Sequence, residues 1–308
     1  MERKKVVSTR GIVQAAAGFD KFSIARFEPG PQLAPFVEHY WALRYELPVG
    51  QSFTQTVLSF PNVHMAFEHD EHGRRALLYG IPRRPFVREL RGAGRVLGVK
   101  FHAGGFYPFW RRDIAQLTGT TISAAELLHS GIASTATSEQ PSSGIASTVA
   151  SEQPSAAIGD DWLSAVLNAK DDAAMAAQAE RALLARLPER DELAELAATI
   201  VREAMDDRAI IKVEHMSERT GLPIRQLQRL FRKYVGVTPK WVIKRFRLQE
   251  AAQRLETDET AQWAELAVQL GYFDQAHFIN DFKSVLGESP AAYSKRSSSP
   301  KLRDPETK

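Results

Sequence analysis

Leu270-Gly-Tyr-Phe-Asp-Gln-Ala-His-Phe-Ile-Asn-Asp-Phe-Lys283, followed by Gly287-Glu-Ser-Pro-Ala-Ala-Tyr293, decides how the C-terminal third of this chain is read. The spacing predicts a helix from Trp263 to Leu270, a turn at Gly271, and a helix from Gln275 to about Val285, closed by Phe282, Gly287, Ser289 and Pro290. The same pattern occurs once before. There a short helix ends near Arg219, Gly221 makes the turn, and a helix runs from Pro223 to about Tyr234, closed by Phe231, Gly236, Thr238 and Pro239. Gly221 and Gly271 are 50 residues apart, whereas Leu227 and Phe278 are 51 apart, so the second turn is one residue longer. Glycine suits the positive φ of a turn between two helices. Thr238-Pro239 and Ser289-Pro290 supply an N-cap with proline at the first helical position, and Asp274 can cap the helix beginning at Gln275.

The first unit is strongly charged. Between Arg219 and Arg247 there are nine Lys and Arg and no Asp or Glu in 29 residues. Ordinary solvated faces mix signs, because opposite charges at i and i+4 support a helix. A one-signed run repels itself unless an anion relieves it, and DNA phosphates, an acidic partner or a lipid surface would each do so. Ile224, Leu227, Leu230 and Phe231 form the expected buried stripe, leaving Arg225, Gln228, Arg229 and Arg232 outward. Arginine pairs bidentately with guanine and glutamine with adenine, while neighbouring cations hold phosphates; this is major-groove chemistry. The helix expected over Pro239–Leu255 would be a spacer about 25 Å long. Two recognition helices would then enter successive major grooves, about 34 Å apart. Trp241 and Trp263 are read as core residues rather than DNA-stacking ones.

The rest of the chain reads differently. At 308 residues it suits about two domains. It has no cysteine, which removes disulfides, cysteine metal ligands and a cysteine nucleophile, and with it an alkyl-transfer repair fusion. No run of about 18 apolar residues exists to span a membrane. The basic start Glu2–Arg10 with the short stretch Gly11–Gly18, interrupted by Gln14, is expected not to be a secretory leader. From about Phe19 to Trp110 the pattern alternates like strands: Trp41, Leu43, Tyr45 and Leu47 oppose Ala42, Arg44 and Glu46, and Leu97, Val99 and Phe101 alternate with Gly98, Lys100 and His102. Asp70–Gly73 reads as a hairpin turn. A segment of small polar residues, Gly131–Ser142, recurs nearly unchanged as Gly144–Ser155 and predicts a disordered loop. The Ala-rich Asp171–Leu187 helix either packs on its own barrel or pairs with its twin in a homodimer. Trp41, Tyr45, Phe101 and Trp110 either line an effector pocket or are plain core.

On these residues the C-terminal 100 or so resemble the AraC/XylS family of bacterial transcription regulators. The resemblance implies a cytoplasmic DNA-binding protein, commonly an activator acting on RNA polymerase at a promoter. It implies base contacts from Arg225, Gln228 and Arg229 in the first unit and from Gln275, His277, Ile279 and Asn280 in the second. Arg232, Lys233, Lys240, Lys244 and Lys283 complete the DNA-binding set. His277 is equally readable as a neutral packing residue. In the second unit Lys283, Lys295 and Arg296 stand against Glu265, Asp274, Asp281 and Glu288, and Ala276 offers no hydrogen bond, so the first unit is expected to dominate affinity. Gly98-Val-Lys-Phe-His-Ala-Gly-Gly-Phe106 resembles a stretch in the cupin-like sensor domains of some family members, which implies a small barrel that binds an effector, dimerises, or both.

The expected fold is α+β: a β-rich cupin-like regulatory barrel over 19–128, a low-complexity linker over 129–159, a helical connector over 160–188, and an all-α double helix-turn-helix domain over 189–297. The expected function is sequence-specific transcriptional regulation, responsive to a small molecule, with no enzymatic activity and no cofactor. His64, His69, His72 and His102 lack the clustered pattern of metal cupins, so no metal site is expected. The rival readings are a cupin-type small-molecule enzyme with an accessory helical domain, and an architectural protein that binds DNA without sequence preference.

Overall fold

The computed structural model describes residues 5–6, 21–57, 60–125, 157–257 and 263–297. The duplicated segment, most of the assigned linker and the side chain of Trp263 lie outside the described residues. Among the described residues, nine strands build the β-rich half. A seven-stranded antiparallel sheet has the order β1 (Lys5–Val6), β2 (Phe22–Phe27), β3 (Val37–Glu46), β8 (Ala93–Phe101), β5 (His64–Asp70), β6 (Gly73–Tyr79) and β9 (Thr121–Ser123). The ribbon of β4 (Ser52–Val57) and β7 (Phe86–Arg91) faces it, with Phe53 against Phe22 and Phe86 against Tyr79. Lys5 pairs with Phe27, so the sheet extends beyond the boundary drawn at residue 19. Asp70 and Gly73 form the predicted hairpin between β5 and β6, tightened by the Asp70 carboxylate accepting from the His72 amide.

The period-2 pattern of β3 and β8 sorts side chains between two interiors. Tyr40, Ala42, Leu97, Val99 and Phe101 join the main core, while Tyr45 joins a small cluster with Phe22, Leu47 and Leu90 between the sheets. Trp41 and Leu43 are half-buried on that second side. The strand-like reading stops short of Trp110: Tyr107–Trp110 is a helical turn, α1, because Pro108 occupies its start and Arg111 ends it in the left-handed region.

Helices α2 (Ala157–Leu167) and α3 (Asp172–Leu184) lie on the main-core face of the sheet. Trp162 meets Phe67 edge-on at 5.2 Å, and Met175, Ala176, Ala179 and Leu183 are buried within the chain. Helix α2 begins at Ala157, inside the span expected for the linker, and the buried residues of α2 and α3 belong to a core shared with the sheet and the first helix-turn-helix unit. The Ala-rich face of α3 is spent on its own barrel because small side chains allow helix and sheet to approach closely.

The helical domain comprises α4 (Glu192–Asp206), α5 (Val213–Thr220), α6 (Ile224–Leu230), α7 (Pro239–Thr257), α8 (Trp263–Gln269), α9 (Gln275–Leu286) and α10 (Pro290–Ser297). All three predicted caps form. The Thr238 hydroxyl accepts from the Trp241 amide at 3.1 Å, Asp274 from His277 at 2.7 Å, and Ser289 from Ala292 at 3.3 Å. Gly221 and Gly271 make the two turns at φ 68° and 79°, a region costly for any residue with a Cβ. The first recognition helix departs from the expected Pro223–Tyr234 span: beyond Leu230 it widens into a π-helical stretch, Phe231–Val235.

The two units do not share a core. Leu227, Leu230, Phe231, Val242, Ile243 and Phe246 belong to the continuous core that runs through the sheet and α2–α4. Leu248, Ala251, Ala252 and Leu255 pack instead with Phe278, Phe282, Leu286 and Tyr293. Helix α7 therefore changes cores between Phe246 and Leu248, about two-fifths of the way along its length.

Candidate nucleic-acid interface

The first recognition surface stands on a sealed base. Leu227 and Phe231 are fully buried, and α6 presents Arg225, Gln228 and Arg229 to solvent, with Arg232 and Lys233 on the π-helical continuation. Lys240 is exposed in the first turn of α7. Among the described residues, Arg225, Arg229 and Lys240 engage no acidic side chain.

The other cations of the run do not all face outward. Arg219 pairs with Asp207 at 3.0 Å, Arg232 approaches Asp113 at 3.8 Å, and Lys244 binds Asp281. Arg247 is buried, paired with Glu250 at 2.7 Å and donating to the carbonyl of Ala204 at 2.6 Å. Arg245 is buried over the Trp241 ring, and burial lowers its pKa to about 10. The self-repulsion inferred from the one-signed run is thus partly relieved by acids that folding brings from elsewhere, and Arg245 and Arg247 are not surface cations. Trp241 is half-buried on the first core, on the side expected of it.

In the second unit α9 exposes Gln275, Ala276, His277, Asn280 and Lys283, while Ile279 is half-buried against the second core. Asp281 is the hub of this surface. It holds Lys244 from α7, lies 3.3 Å from His277 Nε2, and together with burial raises the Tyr272 hydroxyl pKa. Burial is the larger cause for Tyr272, since the neutral phenol tolerates the loss of water better than its anion. His277 is therefore a surface residue tethered to a carboxylate, with its ring edge-on to Tyr272 at 5.3 Å.

A cavity of about 660 Å³ escaped the sequence reading. It lies between one end of the barrel, α4 and α7, where Arg26, Glu38 and Lys100 from the strands meet Thr199 and Arg202 from α4 and Phe246 from α7. Lys100 Nζ is 2.9 Å from Glu38 and 4.5 Å from the centre of the Phe60 ring. Burial alone would raise the Glu38 pKa, but hydrogen bonds from His39 and Lys100 outweigh it and hold the carboxylate ionised. None of Trp41, Tyr45, Phe101 and Trp110 lines this cavity; Phe101 and Trp110 are main-core residues. The available signal was charge at inward strand positions, Arg26 and Lys100 among them. Among the described residues no group of three His, Asp or Glu is gathered for a metal ion, and no helix is long and apolar enough to cross a membrane.

Two family models match separate parts of the chain. Residues 25–123 match the family described as Domain of unknown function (DUF6597), and residues 216–296 match the family described as Helix-turn-helix domain. The chain is similar to the HTH-type transcriptional activator AarP of Providencia stuartii, 34% identical over 27% of this chain and 61% of AarP. It is similar to the HTH-type transcriptional activator RhaS of Pectobacterium carotovorum subsp. carotovorum (strain PC1), 31% identical over 24% of this chain and 26% of RhaS. The chain thus spans between about a quarter and three-fifths of the length of these two relatives. Among solved structures, ToxT from Vibrio cholerae aligns over 84% of this chain and 99% of its own at 10% identity, with a TM-score of 0.38.

Proposed function

We propose that the chain, whose residues 216–296 match a helix-turn-helix family, is a sequence-specific DNA-binding regulator of transcription of the AraC type. The observation that carries this reading is the exposed set Arg225, Gln228 and Arg229, held on a helix whose other face is sealed by Leu227 and Phe231. Those three side chains read base edges, and Lys240 and Lys233 hold phosphates. Gln275, His277, Ile279, Asn280 and Lys283 form the second, less charged reader. Helix α7, 19 residues and roughly 28 Å long, spaces the two readers for successive major grooves. Such a protein works in the cytoplasm, touches RNA polymerase at the promoter, and pairs with a second copy where the operator is repeated.

The β-rich half is the sensor. The cavity beside Phe246 favours this reading, because a small molecule there would touch the barrel and the helix that joins both readers. Its mix of cations, Glu38 and aromatic walls suits a small polar molecule with an apolar portion.

Selection of duplexes from a random pool by the full chain, followed by footprinting, tests the function. Two protected segments one helical turn apart are expected, with random DNA competing poorly. Equal competition by random DNA would favour the architectural rival, and a turnover reaction dependent on the barrel would favour the enzyme.

A further inference from the structure

The second turn is one residue longer than the first, and within it Phe273 is 98% exposed. In the first unit the turn is Gly221-Leu222-Pro223, with Leu222 packed on the core. In the second, Tyr272 takes the packing role of Leu222 and lies edge-on to Phe278 at 5.4 Å. A hydrophobic residue just before an N-cap ordinarily packs on the fourth helical residue. Here Asp274 is the cap and Phe278 the fourth residue, so Phe273 stands where that contact is expected, yet Tyr272 makes it. The packing that would normally hide this phenylalanine is already supplied, and Phe273 is left beside the mouth of the recognition helix.

Its neighbours on that surface are Gln275 and Ala276, both exposed. Ala276 corresponds to Arg225 by the 51-residue offset, so an apolar group stands where the first unit carries a guanine-reading cation. The Asp274 carboxylate is engaged through Oδ1 by the His277 amide as the helix cap. The N-terminal end of a recognition helix is the part that meets base edges, and the one apolar feature of the major groove is the thymine 5-methyl group, which alanine and phenylalanine contact.

From this we infer that Phe273 and Ala276 form an apolar reader that selects thymine methyls in the second half-site. The inference rests on the DNA-binding function proposed above. It also gives the weakly charged second unit its own source of selectivity, one insensitive to salt.

The test uses the full chain and the duplex it selects from a random pool. Thymidines of the second half-site are replaced one at a time by deoxyuridine, which removes only the methyl. At one or two positions the wild-type protein should bind about fourfold more weakly per methyl lost. Phe273→Ala should weaken binding to the thymidine duplex and abolish the penalty for deoxyuridine at the same position. Because Phe273 is exposed, the variant should keep the wild-type unfolding midpoint. If the selected duplex binds tightly but no deoxyuridine substitution matters, or Phe273→Ala retains the full penalty, the inference is wrong and the DNA-binding function stands. If Phe273→Ala leaves binding intact but lowers promoter output, Phe273 contacts polymerase and the inference is equally wrong. If the wild-type chain selects no duplex, both fail together.

Discussion

Thr118 Oγ1 donates a 2.6 Å hydrogen bond to the carbonyl of Gly236, fastening the β-rich domain to the residue that ends the first recognition helix. The same seam holds Tyr107 against Tyr234, ring centres 4.4 Å apart, and Lys233 over the Tyr107 ring. Gly236 itself has φ 88°, and a Cβ there would lie 2.9 Å from both Ile81 and Ile114. The first helix-turn-helix unit is therefore keyed into the β-rich domain, whereas the second hangs from the far half of α7 on a core of its own.

Gly236→Ala should destabilise the protein by about 1–3 kcal/mol, through both left-handed strain and overpacking against Ile81 and Ile114. Urea unfolding followed by far-UV circular dichroism measures it. A change within experimental error would mean that the seam opens without cost and does not couple the β-rich domain to α6.

Asp274→Ala removes the cap of α9 and should cost about 1 kcal/mol. Because the second unit has a separate core, the loss should stay local. Hydrogen exchange should quicken over 275–286 while amides of 224–235 keep their wild-type protection. Equal quickening in both segments would show that the two cores unfold as one.

How far the sequence reached can be judged from particular residues. The double unit was legible because its signals are local: Gly221 and Gly271 for the turns, Thr238, Asp274 and Ser289 for the caps, Leu227 and Phe278 for the buried stripes. The alternation of β3 and β8 was legible for the same reason. The fates of the nine cations were not. Arg219, Arg232 and Lys244 find their acids at Asp207, Asp113 and Asp281, separated from them by 12, 119 and 37 positions, and a count along the chain cannot register such pairs. Nor does periodicity distinguish a helix packing on its own barrel from one awaiting a partner, which is why α3 stood open. The cavity beside Phe246 draws on strand ends, α4 and α7, so it exists only once those elements meet.

Lys240 and Lys244 should behave differently despite lying one helical turn apart. Lys240 is exposed and bound to no acid among the described residues, while Lys244 is committed to Asp281. Each phosphate contact contributes nearly one unit to the slope of log affinity against log salt. Lys240→Ala should lower that slope by about one for cognate and random duplexes alike. Lys244→Met should leave it nearly unchanged and act on how α9 is held. Fluorescence anisotropy titrations across a salt series decide the matter, and equal slope changes for the two variants would mean that Asp281 releases Lys244 to DNA.

Acid should loosen the β-rich domain well above the carboxylate range, because of His64. Its ring is tucked edge-on to Trp41 at 6.4 Å and opposite Lys100 in the β5–β8 ladder. Burial, then the charge of Lys100, pushes its pKa from the ordinary 6.5 down to about 3. Burial lowers His39 and His102 in the same direction. The folded protein thus keeps His64 neutral while the unfolded chain takes up a proton, so stability is full above about pH 6.5 and is lost as pH falls from there toward 3. His64 contributes a slope approaching about 1.4 kcal/mol per pH unit inside that window. Asp70 works at lower pH: its hydrogen bond from Arg75 brings it to about 2, so its contribution disappears only below the ordinary 3.8. Urea midpoints between pH 7.5 and 4.5 separate the two. His64→Gln, which cannot take the proton, should flatten the decline by about one proton's worth. A decline of unchanged steepness in that variant would assign the acid sensitivity to His39 or His102 instead.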